Sequence, residues 1–282
     1  MRRPAADDGE GLRHPGRVSR VLGLALLACS GPIAALVIGL TPAAAAPPQY
    51  AALGDSYSSG VGTRAYIASS GACKRSTFAY PEIVAHRLGW QLHFTACANA
   101  EIRDVLGNQL GALNGSTQHV TISIGGNDAG FGSVITSCIV PLPVTCSRHI
   151  TAADNFISHT LPGQLDHLFA VIRAHAPHAQ VAVVGYPRLF IPTAGRCFAL
   201  HSDQVKLNAT GDLLDGVLAG RAHAHGFLFV DPREAFTGHA ICSRSEWLNG
   251  LSMPLGESFH PNRTGQVAYA DLVESDFSAP HH

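Results

Sequence analysis

From residue 50 onward, short apolar runs alternate with longer stretches whose apolar positions recur every three or four residues. The runs Tyr50–Leu53, Leu92–Thr95, His119–Ile124, Gln180–Val184 and Phe227–Val230 predict five strands. Most are apolar at both sets of alternate positions, as a strand must be when both faces of its sheet are covered. The stretches Phe78–Leu88, Ile102–Leu113, Ala152–His175, Asp203–His225 and Thr264–Glu274 carry helical spacing. Pro162 should split the third of them, because a proline inside a helix removes a ladder hydrogen bond. Strand and helix taking turns predicts an α/β fold, three layers deep, with a central five-stranded parallel sheet joined by right-handed crossovers. The stretch from Gly130 to Ile150, with Pro141, Pro143 and the pair Cys138/Cys146, reads as an ordered excursion that could shape a pocket.

Before the first strand the pattern changes. Arg2, Arg3, Arg13, Arg17 and Arg20 precede an apolar run from Val21 to Leu40, and small residues follow as far as Ala46. This is the plan of a secretory signal, so residues 1–46 are expected to be removed and 47–282 to form one domain. Uncleaved, the run is long enough to anchor the chain in a membrane. Leu26-Leu27-Ala28-Cys29 loosely matches a lipoprotein processing box, but cutting there would leave the apolar stretch Pro32–Leu40 where a polar tether belongs. Of the 7 cysteines, all but Cys29 lie beyond the leader: Cys73, Cys97, Cys138, Cys146, Cys197 and Cys242. An even set in an exported chain predicts disulfides, and six cysteines allow 15 pairings, of which the sequential one is simplest.

Charge excludes one class of function. With 19 basic against 20 acidic residues and no basic stripe, the chain has no electrostatic footprint for nucleic acid. The 16 histidines raise the question of metal, and His223-x-His225 would put two imidazoles on one side of a strand. No further ligand cluster completes a set, so no metal and no other cofactor are expected.

The chemistry is carried by three distant segments: Gly54-Asp55-Ser56, Gly125-Gly126-Asn127-Asp128 and Ser258-Phe259-His260-Pro261-Asn262. A serine hydroxyl becomes a useful nucleophile when an imidazole can take its proton, and the oxyanion formed on attack needs fixed donors. Ser56, His260 and Asn127 supply these parts. Ser56 and Asn127 follow predicted strands and His260 precedes the last helix, so the first two lie beyond the carboxyl ends of the sheet, where such folds bind ligands. Ser58 stands where the nucleophile elbow Gly-x-Ser-x-Gly requires glycine, and the serine precedes almost the whole fold, which disfavours an α/β-hydrolase. Asp55 and Asp128 are expected to cap or tie turns.

These blocks resemble those of the GDSL, or SGNH, esterases and lipases, and they span Gly54 to His260. The resemblance implies a flavodoxin-like α/β/α fold and a secreted carboxylic-ester hydrolase working through a serine acyl-enzyme. It implies an oxyanion hole from the amides of Ser56 and residue 99 with the carboxamide of Asn127. The sequential bridges Cys73–Cys97, Cys138–Cys146 and Cys197–Cys242 look like those of secreted actinobacterial members. Two positions depart from the pattern. Asn99 stands where these lipases usually have glycine, and Glu257 stands three residues before His260 where the wider family often has Asp. Glu257 is therefore the expected orienting acid, with a backbone carbonyl as the alternative. The expected partner is a small-molecule or lipid ester, with transient contact with a lipid surface left open; a monomer is expected. Two other functions compete: O-deacetylation of a carbohydrate or cell-wall glycan on the same scaffold, and non-catalytic binding at the cell envelope.

Overall fold

A five-stranded sheet, all parallel, runs in the order β2-β1-β3-β4-β5. The strands are β1 Gln49–Gly54, β2 Gln91–Phe94, β3 Thr117–Ser123, β4 Gln180–Val184 and β5 Leu228–Val230. The computed structural model describes residues 45–139, 143–191 and 197–279. The apolar leader with its Arg residues and Pro141 lie outside the described residues. Residues from Ala45 onward make one compact unit.

Each strand faces two ways. Tyr50 and Ala52 of β1 join one core cluster, while Ala51 and Leu53 join the other. Helices α2 (Tyr80–Leu88) and α8 (Arg263–Ser278) cover the first face, supplying Tyr80, Val84, Tyr269 and Val273. Helices α3 (Ile102–Asn108) and α6 (Leu161–His175), with the middle and end of α7 (His201–Ala224), cover the second through Val105, Leu165, Phe169, Leu214 and Leu218. Burial of alternate strand residues on opposite sides is the reason that the runs read as uniformly apolar.

Local chemistry sets several element ends. Pro162 sits in the first turn of α6, where a missing N–H costs nothing, and the break before it falls at Thr160. The predicted helix over Ile102–Leu113 stops early, at Asn108, and continues as a 3-10 turn, Leu110–Ala112. Between the two, the Gln109 carboxamide accepts from the Gly54 amide at 2.7 Å and donates to the Gly54 carbonyl at 2.9 Å. A buried side chain satisfying the end of β1 outweighs helix continuation. The region from Gly130 is more regular than expected: it folds as α4 (Phe131–Ile139), and α5 (Pro143–His159) begins nine residues before the predicted Ala152. His223 and His225 close α7 rather than lying on a strand, and His225 Nε2 sits 3.0 Å from Asp166.

Three disulfides join Cys73 to Cys97, Cys138 to Cys146, and Cys197 to Cys242. The second ties α4 to α5; the third ties the approach to α7 to the loop after β5.

Candidate active site

Strand order reverses between β1 and β3, and the crevice outside the carboxyl ends of these neighbours is the place where such sheets bind ligands. Ser56 follows β1 directly and opens the short helix α1, Ser56–Ser59. The turn between them depends on Gly54, whose φ is +114° and where an added Cβ would lie 2.3 Å from the Ser123 carbonyl oxygen of β3. Asp55 caps α1, accepting from the Tyr57 amide at 2.9 Å. As the first helical residue, Ser56 has no acceptor for its amide within the helix, which leaves that N–H for a guest.

His260 arrives from the other end of the chain, 204 residues away, and its Nε2 lies 2.8 Å from Ser56 Oγ. Its Nδ1 lies 2.8 Å from the Ser258 carbonyl oxygen. A carbonyl only accepts, so Nδ1 carries the proton and Nε2 presents its lone pair to the serine hydroxyl. Desolvation by the surrounding protein is the main cause that lowers the His260 pKa to about 4; the Lys74 cation adds to it, while the Ser258 carbonyl and Glu257 oppose it. The imidazole is therefore neutral and ready to accept a proton at neutral pH.

Glu257 does not reach this histidine, contrary to the expectation for an orienting acid. Its buried carboxylate accepts from Tyr66 Oη at 2.9 Å and from Arg64 Nε at 3.0 Å. The 3-10 turn Leu255–Glu257 carries its side chain away from the imidazole, and the carbonyl two residues before His260 takes the orienting position.

Asn127 follows β3 and lines the same crevice. One hydrogen of its Nδ2 is committed to the Ala100 carbonyl at 3.0 Å, which fixes the carboxamide and leaves the second hydrogen free to serve a ligand. Asp128 accepts from the Ile102 amide at 3.0 Å and so ties this segment to the start of α3. Asn99 lies in a turn closed by a 3.1 Å bond from the Ala100 amide to the Cys97 carbonyl, with φ at +63°. This left-handed conformation is why glycine suits the position, and asparagine is among the few side chains that tolerate it. Cys73 pins the turn through its disulfide and through its carbonyl, which accepts from the Ala98 amide at 3.0 Å.

Several supports had no legible signal in the sequence. Tyr57 donates from its hydroxyl to the Phe259 carbonyl at 2.8 Å, and its ring lies 5.4 Å from the imidazole, joining the nucleophile's helix to the histidine's loop. Tyr186 donates to Asp55 Oδ2 at 2.5 Å, bracing the residue that caps α1. Burial raises the Asp55 pKa to about 7, against the lowering effect of the bonds from Tyr186 and the Tyr57 amide. Asn249 Nδ2 donates to the Gly62 carbonyl at 2.9 Å, and a Cβ on Gly62 would strike the Pro261 carbonyl at 2.6 Å. The His260 loop is thus seated against a glycine.

A cleft of about 480 Å³ opens from Ser56 and His260. Phe131, Ile135 and Ile139, spaced four apart on one side of α4, form one apolar wall; Leu207 and Leu214 of α7 contribute to the lining, as do Leu251 and Leu255. Among the described residues, no group of three or more His, Cys, Asp or Glu side chains is placed to hold a metal ion. No helix among them is long and apolar enough to cross a membrane.

A parallel α/β/α sandwich with a serine–imidazole pair at its switch point defines an SGNH-type hydrolase scaffold. Residues 52–268 match the GDSL-like Lipase/Acylhydrolase family. The chain is 46% identical over 240 residues to Lipase 1 of Streptomyces coelicolor, covering 82% of this chain and 89% of that protein. Among solved structures, the extracellular lipase of Streptomyces rimosus superposes with a TM-score of 0.78 at 43% identity, covering 81% of this chain and 99% of the other. Phospholipase A1 of Streptomyces albidoflavus gives 0.79 at 41% identity, with 82% and 99% covered. The chain belongs to the GDSL-like Lipase/Acylhydrolase family and is a carboxylic-ester hydrolase.

Proposed function

We propose that the protein is a secreted serine lipase or esterase in which Ser56 is the nucleophile and His260 the general base. The observation that carries the reading is the 2.8 Å approach of Ser56 Oγ to His260 Nε2, with Nδ1 turned to the Ser258 carbonyl. Ser56 Oγ attacks the ester carbonyl carbon as its proton passes to Nε2. The carbonyl oxygen becomes an oxyanion held by the amides of Ser56 and Asn99 and by Nδ2 of Asn127. Collapse breaks the bond to the alcohol oxygen, which takes the proton from His260, and the acyl group remains on Ser56. Water repeats the sequence: it gives a proton to His260, attacks the acyl carbon, and frees the acid as the proton returns to Ser56. No step needs a metal or an organic cofactor.

The apolar walls of α4 and α7 suit the acyl chain of a lipid ester better than a sugar ring. Neither tryptophan lines the cleft: Trp90 stacks on His119 with centroids 3.8 Å apart, and Trp247 stacks on His239 at 3.7 Å. Residues 1–46 act as the export signal and 47–282 as the mature hydrolase, with the three disulfides suited to an oxidising compartment.

Intact mass after treatment with a fluorophosphonate tests the nucleophile without assuming a substrate. A single adduct on the parent protein and none on Ser56→Ala is expected. Folded, oxidised protein that takes no adduct would overturn the assignment in favour of non-catalytic binding.

A further inference from the structure

The loop that delivers His260 carries an apolar ridge on its outer side. Leu251, Met253 and Leu255 are 50%, 77% and 62% exposed, respectively, on a surface where large apolar side chains are normally scattered singly. Leu251 and Leu255 also line the cleft, so the ridge is continuous with its mouth. Phe198 extends it: this half-exposed ring packs on Gly250, where an added Cβ would come within 2.8 Å of the ring. The neighbouring Cys197–Cys242 bridge fixes the approach to that ring.

The ridge is held in shape. The Ser252 amide donates to Ser258 Oγ at 3.0 Å, the Glu257 amide to the Pro254 carbonyl at 3.0 Å, and the Ser258 amide to the Leu255 carbonyl at 3.0 Å. The Asn249 amide donates to the His260 carbonyl at 2.9 Å, closing the base of the loop. A segment this internally bonded presents Met253 and the outer faces of its leucines to solvent by construction.

The cations Lys74 and Arg64 lie beside the ridge, and the one carboxylate of its turn, Glu257, is buried. Lys74 Nζ lies 3.8 Å from where a Cβ on Gly256 would stand. Arg64 is paired with Glu257, but its side chain is 55% exposed while that of Glu257 is 4% exposed, so the guanidinium faces solvent and the carboxylate faces inward. Residues 251–256 include no acidic side chain. Apolar side chains beside outward cations match the acyl boundary and headgroups of an anionic lipid surface, the combination by which interfacial segments bind.

We propose that Leu251, Met253 and Leu255, with Phe198, dock the enzyme on an anionic lipid surface and set the mouth of the cleft against it, so that an ester enters from the lipid without crossing water. The proposal rests on the reading of the protein as a lipid-ester hydrolase and adds the surface from which the substrate comes.

Met253 is the residue to change, because it is the most exposed of the three and does not line the cleft. Met253→Asp and Met253→Leu are compared with the parent in two assays. The first is co-sedimentation of the proteins, each carrying Ser56→Ala, with vesicles of phosphatidylcholine alone or mixed with phosphatidylglycerol. The second is hydrolysis of a dissolved short-chain nitrophenyl ester by the Ser56 proteins. The parent is expected to bind the mixed vesicles in preference to neutral ones. Met253→Asp should bind them about tenfold more weakly or worse, Met253→Leu should bind like the parent, and all three should hydrolyse the dissolved ester at equal rates. Equal vesicle binding by Met253→Asp and parent, or no binding by the parent, would overturn the proposal. So would a parent dimer in light scattering that Met253→Asp abolishes, since the ridge would then serve a second copy. Failure of the hydrolase reading looks different: vesicle binding would keep its dependence on Met253 while no ester was cleaved.

Discussion

Glu257 separates two accounts of how the imidazole is held. Spacing alone would make it the acid of a Ser-His-acid triad, whereas the structure gives that position to the Ser258 carbonyl and engages Glu257 with Arg64 and Tyr66. In Glu257→Gln the amide oxygen can still accept from Arg64 Nε, and the Tyr66 hydroxyl can turn to accept from the new NH2 group, so the shape of the network survives. What is lost is the charge. Because Arg64 is more than half exposed, the ion pair is discounted for solvent screening, and the expected cost is about 1 kcal/mol. For a domain of this size that is a fall in Tm of roughly 2–4 °C. The kcat/KM on a dissolved ester should stay within about threefold of the parent, because removing the charge of a true orienting carboxylate costs about 10⁴. Glu257 favours the charged imidazole, so its neutralisation should also shift the acidic limb of the profile downward in pH. Thermal unfolding and kcat/KM from pH 3.5 to 8 read all three effects. A loss of a thousandfold or more with an unchanged Tm would refute the reasoning and restore Glu257 to the catalytic unit.

Three further outcomes follow from the site and the core. Asn127→Ala removes one proposed oxyanion donor and should lower kcat by about 10²–10³ with little change in KM, measured on a dissolved ester. In the parent enzyme, kcat/KM should be governed on the acid side by a group near pH 4, because desolvation lowers the His260 pKa to about that value; the base is lost only as pH falls through it, and a limb near 6.5 would contradict this. Burial raises the Asp215 pKa from 3.8 to about 8, so the folded state keeps a proton that the unfolded chain releases, and stability contributed by this group falls as pH rises between those values. Asp215→Asn should flatten that part of the decline, giving a smaller drop in Tm between pH 5 and 9 than the parent shows.

The layers of the fold were legible because burial on two faces leaves a blunt mark: all five strands lie within three residues of their predicted ends. Helix α4 was less legible. Its Phe131, Ile135 and Ile139 repeat every four residues, but Gly130, Gly132 and the prolines beyond Ile139 read as loop, and only packing against α5 and the cleft reveals the helix. At the site, Ser56, Asn127 and His260 stood out because each sits in a short local block, and the structure brings all three to one cleft. Glu257 could not be read correctly, since its role depends on Arg64 and Tyr66, some 190 residues away, and sequence spacing gives no direction to a side chain. Gln109, Tyr57 and Tyr186 escaped for the same reason: each acts through a distant backbone or carboxylate group.

None of the three disulfides joins the end of the chain bearing Ser56 to the end bearing His260. That union rests on hydrogen bonds and packing, among them the bonds from Tyr57 to Phe259, Asn249 to Gly62, Arg263 to Thr63 and the Tyr80 amide to Gln266. The nucleophile is made 204 residues before its base, so a chain that has not reached His260, or is clipped before it, holds a chemically dull serine however well its bridges have formed. Hydrolytic power is consequently a property of the finished molecule alone. Peeling α8 and its preceding loop from the sheet would part the base from the serine with every covalent link intact.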